Sequence, residues 1–348
     1  MTAELKVFTS TNTVGWSPQK KAVATLGLAG LARTGRESAA NLLAADHWLF
    51  LMFDEIAIKP YTVDTIFVCG GVGKRGVINS VATYSISTNE WRDAPNLPEP
   101  RSDHGIAFAA GRVFVFGGFM PGRYTDTCTA FSISKNMWEV IPSMTNGRFN
   151  PGVAVVGDRI FVVGGWDIQG HHTDSVEVYK VSGNTWTAPG VVAPMPTPRV
   201  GFGVAVIGTR IFAIGGLNCC ARSTVEVHDT ETNMWTKLSP MPTARHGMAV
   251  AVIGHQIWCF GGWDGSGMTL DVVEVFDADK NEWNTSKFRM PSPMFRAEAM
   301  VIDSMIWIIG NGYQGDICTV QTFDPETGIW ASSTKVPYAA RERAMVAF

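Results

Sequence analysis

The sequence predicts an all-β protein: a six-bladed β-propeller with four antiparallel strands per blade, closed by the C-terminal strand in blade 1. Three observations support this prediction. A glycine pair and a tryptophan recur with a common period, short apolar runs precede the glycines, and the chain ends in half a repeat. The repeats occupy residues 61–348, and residues 1–60 form a separate extension without repeats.

Two independent markers set the repeat. The first is a glycine pair that begins at Gly70, Gly117, Gly164, Gly215 and Gly261, with a degenerate copy at Gly310. The second is a tryptophan at Trp91, Trp138, Trp186, Trp235, Trp283 and Trp330. The runs before the glycines, such as IFVV and IWCF, are β-branched and aromatic, which is typical of strands buried on both faces.

A hairpin is predicted before each tryptophan. Seven residues earlier stands a ring that should pack on the indole: Tyr84, Phe131, Tyr179, His228, Phe276 and Phe323. Two residues earlier stands a residue that tolerates positive φ: Asn89, Asn136, Asn184, Asn233, Asn281 and Gly328. Such residues favour tight turns between antiparallel strands.

The ends of the chain predict how the ring closes. An arginine lies 16 residues before the first glycine of four repeats, as in Arg101 and Gly117, but the first repeat lacks this upstream half. Residues 341–348, RERAMVAF, are that missing half. We therefore expect them to pair with the strand before Gly70 and to remove the exposed sheet edge.

These motifs resemble the kelch repeat. The stretch GGWDGSGMTLDVVEVFDADKNEW is close to that family's consensus, and the resemblance covers about 61–348. It implies a propeller that binds proteins, often as the substrate receptor of a cullin-type ubiquitin ligase that BTB or F-box segments recruit. A BTB domain does not fit in residues 1–60, and no F-box aligns there, so any adaptor domain is degenerate or absent.

The extension has its own expected structure. Residues 1–19 are rich in Thr and Ser and are predicted to be flexible, whereas residues 36–56 are predicted to form one helix with a partly apolar side.

The recurring arginines are the first candidate site. The resemblance implies that arginines here help to bind acidic peptides at one mouth of the channel, and a guanidinium suits carboxylates because it grips them with two hydrogen bonds. The alternative is structural, with bonds to turn carbonyls or to an acid in the next blade. The candidates are Arg101, Arg148, Arg199, Arg245, Arg296 and Arg341.

The loops after the glycine pairs are the second candidate site. Binding residues tend to lie on loops that a rigid scaffold holds, and aromatic side chains are enriched at interface hot spots. We expect contacts from Phe119, Trp166, Asn218 and Trp263. The alternative is that the Trp-Asp sequence after the glycines only forms a blade turn.

Composition bears on the other function classes. The net charge of −3 offers no basic field for nucleic acid, and no apolar segment is long enough to span a membrane. No catalytic, metal-binding or cofactor-binding motif appears, so none is predicted. The six cysteines form no disulfide framework, which favours a reducing compartment, the cytoplasm with the nucleus as a second location.

Three functions follow from these observations. The first is a protein-binding module with a protein or peptide partner, acidic under the channel-mouth hypothesis, linked to ubiquitin ligation through cullin-ligase components. The second is a propeller enzyme that acts on a small molecule or sugar. The third is a cytoskeletal or scaffold protein.

Overall fold

The structure is a computed structural model that describes residues 5–8, 50–53, 63–312, 318–332 and 344–348. The chain divides into two units, Met1–Tyr61 and Thr62–Phe348. In the first unit, the strands Leu5–Phe8 and Phe50–Phe53 pair antiparallel.

The structure describes the extension only at those two strands, and the rest of 1–19 and of 36–56 lies outside the described residues. At Phe50–Phe53 a strand stands where a helix was expected, and the flexibility of residues 1–19 stays a prediction. A run of four apolar residues, FLMF, fits a short strand as well as a helix face, so periodicity could not distinguish the two.

The second unit contains six four-stranded antiparallel sheets, the six predicted blades. From the channel outward, blades 1 to 3 consist of Ala344–Ala347, Thr65–Cys69, Val81–Ser85, Glu90–Ala94; Gly105–Ala109, Arg112–Phe116, Cys128–Ser132, Met137–Ile141; and Gly152–Val156, Arg159–Val163, Val176–Lys180, Thr185–Trp186.

Blades 4 to 6 consist, in the same order, of Gly203–Ile207, Arg210–Ile214, Val225–Asp229, Met234–Leu238; Ala249–Ile253, Gln256–Phe260, Val272–Asp277, Glu282–Arg289; and Met294–Ile302, Met305–Gly312, Cys318–Phe323, Trp330–Ser332. No helix occurs among the described residues.

Short two-stranded antiparallel ladders lie in the loops of this unit. They pair Val72–Gly73 with Gly76–Val77, Phe119–Met120 with Arg123–Tyr124, Arg148–Phe149 with Trp166–Asp167, and Leu217–Asn218 with Cys220–Ala221.

The C-terminal strand closes the ring as predicted. Ala344–Ala347 pairs antiparallel with Thr65–Cys69, so that Ala344 lies opposite Cys69. The innermost strands of successive blades also contact one another around the whole ring, including blade 6 against blade 1 and blade 1 against blade 2. The first blade is therefore built from both ends of the propeller.

The predicted hairpins are confirmed in all six blades. Each ring lies opposite its tryptophan, with centroids 4.6 Å apart for Phe323 and Trp330 and 5.3 Å apart for Tyr179 and Trp186. The turn residues have positive φ, from 50° at Asn184 to 74° at Gly328. His228 takes the ring position of blade 4, where its Nε2 lies 3.2 Å from Asn233 Oδ1.

The outer tryptophans also join neighbouring blades. The indole Nε1 donates to a carbonyl of the preceding blade's exit segment, as in Trp186 to Pro142 at 2.7 Å. The same bond is made by Trp138 to Pro95, Trp235 to Ala193 and Trp283 to Ser239. Each blade from 2 to 5 is therefore fastened to the one before it at the outer edge.

The glycine pairs fasten the blades near the channel. Gly117 has φ of +60°, and a Cβ there would lie 2.6 Å from the carbonyl oxygen of Arg148 in the next blade. Gly118 N–H donates to that carbonyl at 2.8 Å. Only glycine combines this left-handed backbone with so close an approach.

Candidate functional site

Four of the six candidate arginines lie inside the blades. Each Nη1 donates to the carbonyl of the first glycine of its own blade and to a carbonyl just before or at the start of the third strand. In blade 4, for example, Arg199 Nη1 lies 2.9 Å from the oxygens of both Gly215 and Thr224. The second carbonyl also accepts from the N–H of that first glycine, as in Gly215 to Thr224 at 2.9 Å, so the guanidinium joins the glycine turn to the third strand.

A buried carboxylate neutralises three of the four arginines. Arg148, Arg199 and Arg245 donate through Nη2 to Glu177, Glu226 and Glu274 of the same blade. Thr197 and Thr243 donate to the second carboxylate oxygen of Glu226 and Glu274, each at 2.7 Å. Each unit is thus a satisfied ion pair, as a buried charge requires.

The prediction that these four side chains rim an open mouth is wrong. All four have no exposed surface, so a ligand in the channel cannot reach their guanidinium groups: Arg101, Arg148, Arg199 and Arg245. The alternative, a structural role with bonds to turn carbonyls or to an acidic side chain, describes these arginines. The acidic side chain, where there is one, belongs to the same blade and not to the next. Spacing identified the position but not the direction of the side chain.

Blade 6 departs from this pattern. The position 16 residues before Gly310 is Met294, whose carbonyl accepts from Gly262 N–H at 2.8 Å as the arginine carbonyls do in the other blades. Met294 is fully buried. The acid position holds Gln321, so the buried cation and the buried anion have both been replaced by neutral residues.

Arg296 therefore occupies a different place from the four buried arginines. It lies two residues after Met294, at the channel mouth, with φ of +56° and with 35% of its side chain exposed. Arg341 lies outside the described residues. Among the candidate arginines of the described chain, Arg296 alone presents its side chain to the channel.

The equivalent residues of blades 2 to 5 form, with Arg296, a rim around the mouth. All have positive φ, and backbone bonds of 2.7–2.8 Å join several neighbours, as from Gly247 N–H to the Gly201 carbonyl. We call these residues the rim: Asp103, Asn150, Gly201, Gly247 and Arg296. Four of the five are Gly, Asn or Asp, the residue types that adopt this backbone most readily, and Arg296 is the exception.

The rim carries one ion pair. Arg296 Nη1 lies 3.6 Å from Asp103 Oδ1, and the Asp103 side chain is 4% exposed. Burial raises the pKa of Asp103, and the Arg296 charge opposes that rise. Asp103 Oδ2 is buried without a hydrogen-bond partner in the described part of the chain.

Below the rim lies a cavity of about 230 Å³ along the channel axis. The innermost strands begin on its wall with Gly105, Gly152 and Gly203, and a Cβ at Gly105 or Gly203 would meet a valine Cγ2 at 2.3 Å. The wall is therefore mostly backbone and valine. Such a cavity admits a narrow group but not a folded element.

Glu298 interrupts this wall of backbone and valine with a carboxyl group. The sequence did not identify it as a candidate residue. It pairs with Ile309 in the register position that Gly105, Gly152 and Gly203 hold in other blades. Its side chain is exposed to the channel, and desolvation by the surrounding channel wall raises its pKa to about 7. Alignment on Gly310 instead of on Arg296 would have found it.

The candidate loop residues converge around this mouth. Ser102, Phe149, Val200 and His246, each directly before a rim residue, make bridges with Phe119, Trp166, Leu217 and Trp263, respectively. We call the rim and these loop residues together the rim face. Three of the four predicted loop contacts, Phe119, Trp166 and Trp263, thus occupy equivalent places in three blades.

The aromatic side chains of the rim face are half-buried. Trp166 stacks on His172 with centroids 5.0 Å apart, and Trp263 packs edge-on to His246 at 5.2 Å. The Asn218 amide is instead turned to its own blade and donates to the Pro198 carbonyl at 2.8 Å. The backbone after the glycine pairs forms a blade turn, as the alternative stated, while the indoles of Trp166 and Trp263 retain accessible surface.

Two buried histidines under the rim face are held neutral. Burial, with the nearby Arg101 charge, lowers the pKa of His104 to about 3, and its Nε2 lies 3.3 Å from Cys69 Sγ. Burial lowers the pKa of His246 to about 4, with a smaller effect from Arg296. Both rings therefore serve packing at neutral pH.

Within the described ranges, no group of three His, Cys, Asp or Glu side chains is placed to hold a metal ion. The same part of the chain has no helix long and apolar enough to cross a membrane.

The comparisons with known proteins agree with this architecture. The family model described as the KLHDC2/KLHL20/DRC7 Kelch-repeats domain matches residues 57–216 and 152–347. The mouse Kelch-like protein 35 is 26% identical over 175 residues, which is 49% of this chain and 29% of the relative. Kelch-like protein 25 of Xenopus tropicalis is 24% identical over 165 residues, 44% of this chain and 27% of the relative.

The chain thus spans less than a third of the length of these relatives. Because the two matches of the family model together cover nearly all of the repeats, the chain belongs to the kelch-repeat family.

Proposed function

We propose that the chain is a protein-binding module that holds a segment of a partner protein against its rim face. The observation that supports this most is the convergence of Phe119, Trp166 and Trp263 around one channel mouth. Half-buried aromatic side chains on a rigid scaffold give large contact area at low entropic cost. The kelch-like relatives support the same general role.

The finer proposal is that this module recognises substrates for ubiquitin ligation. It rests on the family resemblance, and a cullin-ligase component would then accompany the substrate in the assembled complex. An acidic partner segment would contact the exposed basic side chains of the first two blades, Lys74, Arg75 and Arg123, and not the buried arginines.

Affinity purification from cell extract with mass spectrometry tests the binding role. Bait proteins would be the wild type, a Trp166→Ala/Trp263→Ala variant, and a Met137→Ala/Met234→Ala control with exposed outer-strand positions. We expect a set of proteins that the wild type and the control retain and the rim-face variant loses at least tenfold, because truncated hot-spot aromatics typically cost more than about 1 kcal/mol each.

Two results would contradict the proposal. One is that the three baits retain the same proteins. The other is that a well-folded wild type, checked by circular dichroism, enriches nothing over an empty matrix. Cullin subunits absent from an otherwise specific set would contradict the ligase link and leave the binding role intact.

A further inference from the structure

Glu298 is the one charged side chain within the described channel wall below the rim. The corresponding position is Gly105, Gly152, Gly203 and Ala249 in blades 2 to 5, and Ala344 in blade 1. Five blades thus place only a glycine or an alanine at this point of the channel wall, and blade 6 projects a carboxyl group into the channel. A structural role does not require this group, because the other five blades form the same ladder without one.

The carboxyl group has no partner in the described part of the chain. No hydrogen bond or ion pair is made by Glu298, whereas the buried carboxylates Glu177, Glu226 and Glu274 all contact arginine. A carboxylate that faces a protein-lined channel without a counter-charge attracts a cation, because the channel walls focus its field. The channel offers room for a cation that enters from solvent.

The rim supplies a second acceptor on the way in. Asp103 Oδ2 is buried and unpartnered, and Asp103 lines the same cavity as Glu298. Its Oδ1 is already near Arg296. An entering hydrogen-bond donor thus meets an unsatisfied acceptor at the mouth and an unpaired carboxyl group beneath it.

We infer that the channel binds an ammonium or guanidinium group of the partner, a lysine or arginine side chain that passes the rim and pairs with Glu298. The inference rests on the proposed function for the partner. It specifies what that partner inserts: a basic side chain at the centre, whatever the charge of the residues over the outer loops. A cavity of about 230 Å³ fits one extended side chain.

Binding should then depend on pH. The titratable or charged groups that line the cavity with Glu298 are Asp103, Arg296 and His104, and His104 stays neutral across the physiological range. Glu298 must ionise to pair with the cation, and desolvation by the channel wall raises its pKa to about 7. Affinity should therefore rise from pH 6 to pH 8 as the carboxyl group loses its proton.

The test uses purified full-length protein and three capped tripeptides, Ac-Gly-Lys-Gly-NH₂ and its norleucine and glutamate counterparts. Met248 and Met345 are among the residues that line the cavity, so their methyl signals in NMR spectra after ¹³C-methyl labelling respond to its occupancy. We expect the lysine peptide to shift these signals, with at least tenfold weaker binding of the norleucine peptide.

Variants separate the channel from the rest of the protein. Glu298→Gln should abolish the preference for lysine and its pH dependence, whereas Glu282→Gln on the exposed outer strand should change neither. Arg296→Ala should tighten lysine binding, because it removes a repelling charge and frees Asp103 to accept a bond.

The inference is overturned if the lysine and norleucine peptides bind alike, if Glu298→Gln binds lysine as the wild type does, or if only Ca²⁺ or the glutamate peptide shifts the methyl signals. Because this assay needs no natural partner, its failure is distinguishable from failure of the extract experiment. A protein that captures partners through Trp166 and Trp263 but ignores the lysine peptide contradicts the channel site alone.

Discussion

Blade 4 and blade 6 have the same strand order and differ at three inner positions. Blade 4 has Arg199 bound to Glu226 within the blade and Gly203 on the channel wall. Blade 6 has Met294 and Gln321 at the first pair of positions and Glu298 at the wall. The internal charges of blade 4 are thus absent from blade 6, which instead directs a charged side chain to the channel.

The comparison indicates that the buried Arg–Glu ion pair stabilises its blade and does not bind a ligand. Both members are replaced together in blade 6, so neither charge is left buried without the other there. The Arg199 guanidinium also bonds the Gly215 and Thr224 carbonyls, which a methionine cannot do. The departure from the repeat, and not the repeat itself, marks the candidate binding residue.

The largest loss of stability is expected when the ion pair of blade 4 is broken. Arg199→Met should destabilise the propeller by about 3–5 kcal/mol, because Glu226 is left buried with Thr197 as its partner. The double variant Arg199→Met/Glu226→Gln, which copies blade 6, should recover part of the loss. Urea unfolding of the single and double variants measures both terms.

Glu226→Gln alone serves as the control, since its amide oxygen still accepts from Arg199. If the double variant were as unstable as the sum of the two single variants, the charges would not act as a pair, and the comparison between the blades would fail.

A smaller effect concerns the outer tryptophans. Trp186 Nε1 donates to Pro142 at 2.7 Å, whereas Trp330 Nε1 has no acceptor among the described residues. Replacing each by Phe should cost about 1 kcal/mol more at position 186, since the net value of one such bond is about that size. The difference in unfolding free energy between Trp186→Phe and Trp330→Phe measures it; equal losses would argue against the inter-blade bond.

The smallest effect is the pH dependence of Glu298→Ala, which copies Ala249 of blade 5. The folded-state pKa of about 7 exceeds the ordinary value of about 4.3, so the folded protein holds this proton more tightly. Its contribution to stability is present below pH 4 and is lost as pH rises through 7. Between pH 5 and 8 the wild type should lose stability relative to the variant.

We expect this loss to stay below about 1 kcal/mol, because channel water screens the carboxylate. Thermal unfolding at pH 5 and pH 8, with Glu282→Ala as the exposed control, tests it. A pH dependence that is unchanged in Glu298→Ala would show that the carboxyl group titrates alike in the folded and unfolded chain.

Much of the fold was predictable, for local reasons. The spacing of Tyr179, Asn184 and Trp186 specifies a ring, a left-handed turn and a cross-strand indole within one hairpin. Short-range geometry decides all three. The closing strand was predictable as well, because the half-repeat at the end complements the half-repeat at the start, and sheet edges must be paired.

The site was less predictable. Phe119, Trp166 and Trp263 were found because every blade places the residue after the glycine pair at the same mouth. Arg148 and Arg245 were assigned to the mouth because spacing does not reveal whether a side chain points inward or outward. Glu298 was missed because Arg296 was aligned with the other arginines, two residues out of register.

The sequence by itself determined the blade count, the hairpin of each blade and the strand that closes the ring, because these depend on local spacing and on complementary ends. The tertiary structure decided which charges are enclosed and which are accessible. That outcome depends on how neighbouring blades converge on the axis, where Arg199 finds Gly215, Thr224 and Glu226 within its blade and Glu298 finds only the open channel.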